Sequence, residues 1–175
     1  MCLKIAFSGK MRTGKDEAYA YISKYIPEVT LLKFADPVYN IMNYAQTVCG
    51  FPHIKDRQFL QYIGTDYARS KNPNVWVDVF LRRASEIDGP IVCTDARFTN
   101  EFVALKNAGF TLIKLSADET TRIARGAESL VHASEVDMDL YENFDYVIEN
   151  NGTLSEFHTK LFNILSDKVN VSQFV

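Results

Sequence analysis

Residues 3–25 run as an apolar stretch, a glycine-bracketed loop and an amphipathic stretch: LKIAFS, then GKMRTG, then KDEAYAYISKY. A short apolar run bounded by glycine reads as a buried strand over Leu3–Ser8. Lys15–Tyr25 reads as a helix, with Pro27 just beyond its end. A strand that passes through Gly9, four residues and Gly14-Lys15 into a helix makes a cradle for phosphate. Backbone N–H groups and the helix dipole favour the anion there. Glycine permits the close approach, and the lysine reaches the outer phosphates of a nucleotide. Gly9, Arg12, Thr13, Gly14, Lys15 and Asp16 are the candidate nucleotide contacts on this loop.

Asp16 departs from the general form of such loops, which end in Ser or Thr. A hydroxyl at that place gives one oxygen to Mg2+. A carboxylate also offers hard oxygen, directly or through water. Its charge suits the first turn of a helix equally well, so Asp16 reads either as a metal ligand or as a helix-start acid. Arg12 either leans over the phosphates or stays solvated.

The rest of the chain alternates in the same way. Strands are expected over Val29–Ala35, Pro90–Asp95, Phe110–Ser116 and Phe144–Asn150. Helices are expected over Thr99–Ala108, with Glu101 in the first turn, from Asp118 through Arg122 and Arg125, and from Thr153 to about Asp167. Between strands two and three lies a long, mostly helical stretch, broken at CGFPH and SKNPN. Alternating strands and helices imply a five-stranded parallel sheet covered on both faces, an α/β three-layer sandwich. Asp95 ends a buried strand, where ligands of open α/β sheets bind. It reads as a second Mg2+ partner or as the cap of the next turn. Arg97 pairs with Asp95 or takes a substrate phosphate, and bidentate recognition favours the phosphate.

With 175 residues, 47% of them hydrophobic, one domain with a real core is expected over residues 1–175. The formal net charge of -3 argues against a general nucleic-acid binder. Cys2, Cys49 and Cys93 are far apart and form no C-x-x-C, so a reducing, cytoplasmic setting is expected. No apolar run approaches the ~20 residues of a membrane span, and no membrane partner is expected.

Taken together, several motifs resemble the phage-type deoxynucleoside monophosphate kinases of the P-loop nucleoside monophosphate kinase superfamily. They are GKMRTGKDEAYAYI, FADPVY (Phe34–Tyr39), LQYIGTDYARSKNPNVWVDVF (Leu60–Phe80), TDARFTNE (Thr94–Glu101) and FDYVIENNGT (Phe144–Thr153). Asp16 is what that family carries in its G-K-D loop. The resemblance implies ATP-dependent phosphorylation of a deoxynucleoside 5'-monophosphate, for DNA precursor synthesis. It implies a P-loop kinase core, a helical monophosphate-binding insertion at residues 36–88 and a lid at residues 118–140. It also implies Mg2+ on Asp16 and Asp95, an adenine site largely on backbone groups of Asn150, Asn151 and Gly152, and acceptor contacts from Phe34, Asp36, Arg69, Trp76 and Arg97. Lys15, Arg69, Arg97, Arg122 and Arg125 are the catalytic candidates. A homodimer is allowed, and the host cytoplasm is the setting if the chain is viral. Other acceptors, dephospho-coenzyme A or phosphomevalonate, stay open, as does a nucleotide-binding regulatory module that does not turn over. His132–Glu135 match a family stretch with no assigned role.

Overall fold

The computed structural model describes residues 2–127 and 140–168. The stretch 128–139, which holds most of the expected lid and His132–Glu135, lies outside the described residues. Five strands form one parallel sheet: β1 Lys4–Ser8, β2 Thr30–Leu31, β3 Ile91–Cys93, β4 Thr111–Ser116 and β5 Tyr146–Glu149. Their order across the sheet is β2-β3-β1-β4-β5. β1 is central, with Ile5 opposite Val92 of β3 and Ala6 opposite Leu112 of β4. The order reverses at β1, so the crevice beyond its C-terminal end is the natural ligand position.

Side chains alternate across this sheet and create two cores. Ile5 and Phe7 face one layer with Val92, Ile113 and Leu115. That layer contains α1 (Lys15–Tyr25) and α8 (Leu154–Ser166), through Ala18, Ile22, Phe157 and Leu161. Ala6, Cys93 and Leu112 face the other layer. There α5 (Val75–Ser85) and α6 (Thr99–Asn107) bring Trp76, Phe80, Phe102 and Leu105. Full burial of a large apolar side chain contributes about 1.5–3 kcal/mol, so β1 is held firmly from both sides.

The helical insertion contains α2 (Asp36–Cys49), α3 (Arg57–Gln61), a π-helical stretch (Tyr62–Tyr67) and α4 (Ala68–Lys71), followed by α5. Its breaks, at residues 50–56 and 72–74, coincide with the two expected from sequence. Pro37 opens α2, and Gly50 at φ 69 closes it. After β4 comes α7 (Glu119–Ala124). Thr153 and Glu156 exchange hydrogen bonds at the start of α8, the capping box of that helix. Among the described residues no helix is long and apolar enough to cross a membrane.

β2 is much shorter than the expected Val29–Ala35, for a specific reason. After Leu32 the backbone N–H groups leave the sheet for carboxylates. Lys33 N donates to Asp36 at 3.2 Å, while Phe34 N and Ala35 N donate to Asp95 at 3.0 and 2.9 Å.

Candidate active site

The loop from Gly9 to Gly14 sits at the end of β1. Gly9 has φ 151, and a Cβ there would run into the Leu115 carbonyl. Gly14 has φ 107, and a Cβ there would meet Asn150 Nδ2 at 2.6 Å. Both positions therefore require glycine. Arg12 adopts the left-handed region at φ 65, an uncommon conformation for a residue with a Cβ. Lys15 Nζ donates to the Gly9 and Lys10 carbonyls at 2.6 and 2.9 Å. Thr13 Oγ1 also donates to Lys10 O, at 2.9 Å. Ser8 is buried beside the loop, and its Oγ has no hydrogen-bond partner among the described residues.

Asn150 is a buried tie across this site. Its Nδ2 donates to Thr13 O at 3.0 Å, and its Oδ1 lies 3.5 Å from Arg125 Nη2. Its own N–H goes to Ser116 O at 2.8 Å. So the Asn150 backbone N–H, expected at the adenine, is taken by β4, and the side chain instead fixes the loop. Asn151 Oδ1 accepts from Asp118 N at 2.8 Å, linking this turn to the start of α7. A Cβ at Gly152 would displace the Glu156 carboxylate from its bonds to Thr153. Arg122 Nε and Arg125 Nη1 are buried, with no hydrogen-bond partner among the described residues.

The acidic candidates occupy different surroundings. Asp16 lies in the first turn of α1 next to Lys15. Asp95 takes backbone N–H groups of Phe34 and Ala35 on its two oxygens, plus the Cys93 thiol at 3.4 Å. Burial pushes the Asp95 carboxyl above its ordinary value, and the hydrogen bonds from Ala35, Phe34 and Cys93 only partly oppose this. The same burial drives the Cys93 thiol well up. The oxygen-only donor set fits Mg2+, which takes one or two carboxylates together with phosphate oxygens. Asp16 offers the more open carboxylate, because Asp95 already anchors the turn that starts α2. Among the described residues no group of three or more His, Cys, Asp or Glu side chains could hold a metal unaided.

On the insertion side, Arg69 Nη2 meets Glu101 Oε1 at 2.5 Å, and its guanidinium stacks 4.0 Å over the Phe98 ring. Glu101 also accepts the Arg97 and Phe98 N–H groups at 2.7 and 3.1 Å. Glu101 was expected only as a first-turn acid of α6; the TDARFTNE string placed it there without revealing its partner 32 residues earlier. The Arg97 residue is exposed. Asp36 pairs with Arg83 at 3.0 Å, and Phe34 stacks on Phe80 at 4.2 Å. Trp76 is core: it is 6% exposed, and its Nε1 donates to Gly64 O at 2.8 Å within the π-helical stretch.

No family model matches the chain. A protein of Acanthamoeba polyphaga mimivirus, provisionally named as a deoxynucleotide monophosphate kinase, is 28% identical over 124 residues. That match spans 63% of this chain and 61% of the mimivirus protein. Among solved structures, a gluconokinase from Sinorhizobium meliloti superposes with a TM-score of 0.59 at 15% identity, covering 98% of this chain and 96% of that one. Shikimate kinase from Aquifex aeolicus gives 0.58 at 14% identity, covering 95% and 98%. Strand order, glycine loop and these likenesses agree: the chain has the α/β fold of the P-loop kinases.

Proposed function

We propose that this chain transfers the γ-phosphoryl group of ATP to a deoxynucleoside 5'-monophosphate. The observation that carries the reading is the glycine loop, with Lys15 folded onto its own carbonyls. It is joined through Asn150 to Arg125 at the end of α7. The mimivirus relative supports the acceptor class. In this reading residues 36–88 receive the monophosphate, residues 118–140 form the lid, and both belong to one kinase domain.

Phosphoryl transfer needs positioning and charge neutralisation more than covalent help. Lys15 exchanges the Gly9 and Lys10 carbonyls for β- and γ-phosphate oxygens, and the loop N–H groups at the start of α1 hold the same phosphates. Arg122 and Arg125 close over the transferring group and exclude water. Asp16 and Asp95 would hold Mg2+, directly or through water, and the ion would supply neutralisation of the phosphate charge. Arg69 and Arg97 hold the acceptor phosphate in line. Glu101 and Phe98 hold Arg69 in one orientation in advance. Phe34 and Asp36 line the acceptor region, and Trp76 backs it from the core. The adenine rests against Asn151 and Gly152. No general base is required, since a monophosphate oxygen is already anionic.

The test is ADP release with Mg-ATP and a panel of acceptors. The panel holds the four deoxynucleoside monophosphates, their ribonucleotides, dephospho-coenzyme A and phosphomevalonate. Selective turnover of deoxynucleoside monophosphates is expected. Turnover with only the last two would keep the loop chemistry and discard the acceptor. ATP binding without any turnover would discard the kinase reading.

A further inference from the structure

α1 begins at Gly14, a residue with no side chain to cap a helix. The start of the helix is braced instead by residues far along the chain. Asn150 Nδ2 donates to Thr13 O at 3.0 Å. The Phe157 ring lies against Gly14, 3.4 Å from where a Cβ would stand. Within the first turn of α1, Glu17 Oε1 accepts from His158 Nε2 at 2.8 Å, across 141 residues of sequence. Lys15 and Asp16 fall between these contacts, with Thr13 and Gly14 held on one side and Glu17 on the other.

His158 is itself fixed. Tyr21 lies four residues after Glu17, on the same face of α1. Its ring sits 4.4 Å from the imidazole with a tilt of 32°. α1 therefore holds His158 by a nitrogen and by a face. The far side of the brace, residues 150–158, is closed by the capping box of Thr153 and Glu156. A carboxylate in a first turn already suits the helix dipole and needs no partner for that. The bond to His158 therefore does something more: it fixes the direction of the turn.

We propose that Glu17 and His158 are positioning residues for phosphoryl transfer. Their bond keeps the first turn of α1 at the angle that Lys15 and Asp16 require, and neither side chain touches the nucleotide. A helix start that is already in place loses none of the ligand's binding energy to ordering. Without the pair, the phosphates have to order that turn themselves. The proposal rests on the donor half of the kinase reading, that Lys15 and the loop hold a nucleotide's phosphates. It does not depend on the acceptor.

Isothermal titration calorimetry tests it with two ligands: ADP, and inorganic tripolyphosphate, which has phosphates but no base. The proteins are wild type, Glu17→Ala, His158→Ala, the double variant, His158→Gln and Lys15→Met. E17A and H158A are each expected to weaken both ligands by about two- to tenfold, the range of one net hydrogen bond. The double variant is expected to be no weaker than either single one, because both remove the same bond. H158Q keeps an N–H for Glu17 and is expected to recover most of the loss, and with E17A it carries the test if H158A fails to fold. Unchanged affinity in E17A and H158A overturns the proposal and leaves the pair as a tie between two helices. A loss confined to ADP overturns it too, since the pair would then act on the base and not on the loop. A wild type that binds neither ligand, or a K15M that binds both as wild type does, overturns the donor reading and the proposal with it.

Discussion

Arg69 and Glu101, 32 residues apart, meet at 2.5 Å with the Glu101 side chain only 2% exposed. Glu101 also collects the N–H groups of Arg97 and Phe98, so one carboxyl joins α4 to the turn after β3. Replacing it with alanine orphans an arginine and two backbone donors. We expect Glu101→Ala to lower unfolding free energy by about 3 kcal/mol, the scale for breaking a buried pair. Urea denaturation measures this, and a loss under about 1 kcal/mol would mean the junction is held by packing alone.

The same carboxyl gives a pH signature. Burial raises its pKa above the ordinary 4.5, and this outweighs the lowering by the Arg97 and Phe98 N–H groups and by Arg69. A raised folded-state value means the folded protein binds more protons than the unfolded chain above pH 4.5. The protonation-linked part of the Glu101 contribution is therefore full below that value and is lost as pH rises through the folded-state pKa. The stability difference between wild type and Glu101→Gln is expected to shrink with rising pH across that window. A difference that grows instead would show that the Arg69 pair outweighs desolvation.

Lys15→Met removes the cation but keeps the length of the side chain. Its partners are loop carbonyls that can turn to water. Turnover is expected to fall at least ~100-fold, the scale of losing one charge-stabilising donor, with the melting temperature nearly unchanged. Near-normal turnover would remove Lys15 from the mechanism.

Asp16 should reveal itself through metal dependence. Asp16→Asn is expected to raise the Mg2+ concentration giving half-maximal rate by roughly tenfold, while Asp16→Ser recovers part of the loss by supplying the hydroxyl of the general loop. EDTA should abolish turnover in all three proteins. A Mg2+ titration identical in wild type and D16N would make Asp16 a helix-start acid only.

Asn150→Ala leaves the Thr13 carbonyl without its buried donor, at a cost of about 1–3 kcal/mol. Because Asn150 also touches Arg125, the KM for ATP is expected to rise as well. A lower melting temperature with an unchanged ATP titration would confine Asn150 to a structural role.

Period and punctuation exposed much of this architecture in the sequence. Apolar runs bounded by glycine or proline gave β1, β3 and β4, the apolar run in FDYVIEN gave β5, and Thr153 marked the start of α8. The interrupted pattern after β2 gave the insertion and its two breaks. What stayed hidden was set by distant partners. Nothing local in VTLLKFA shows that Asp95, some 60 residues on, draws the chain out of the sheet after Leu32. Within the π-helical stretch the Gly64 carbonyl accepts from Trp76, a partner 12 residues on. Glu101 looked like any first-turn acid until Arg69 came beside it. Asn150 was read for its backbone, yet its buried side chain is what contacts the loop.

The tie between Thr13 and Asn150 spans 137 residues, and β1 pairs only with strands that begin at Ile91 and Thr111. During synthesis the glycine loop leaves the ribosome well before the segments that support it. A nascent chain that stops before Asn150 has the whole Gly9–Lys15 string but no support for it, and is expected not to retain nucleotide. Nucleotide retention is therefore expected to report that the chain has been made and folded at least through Asn150, so ligand binding can serve as an assay of that stage of folding.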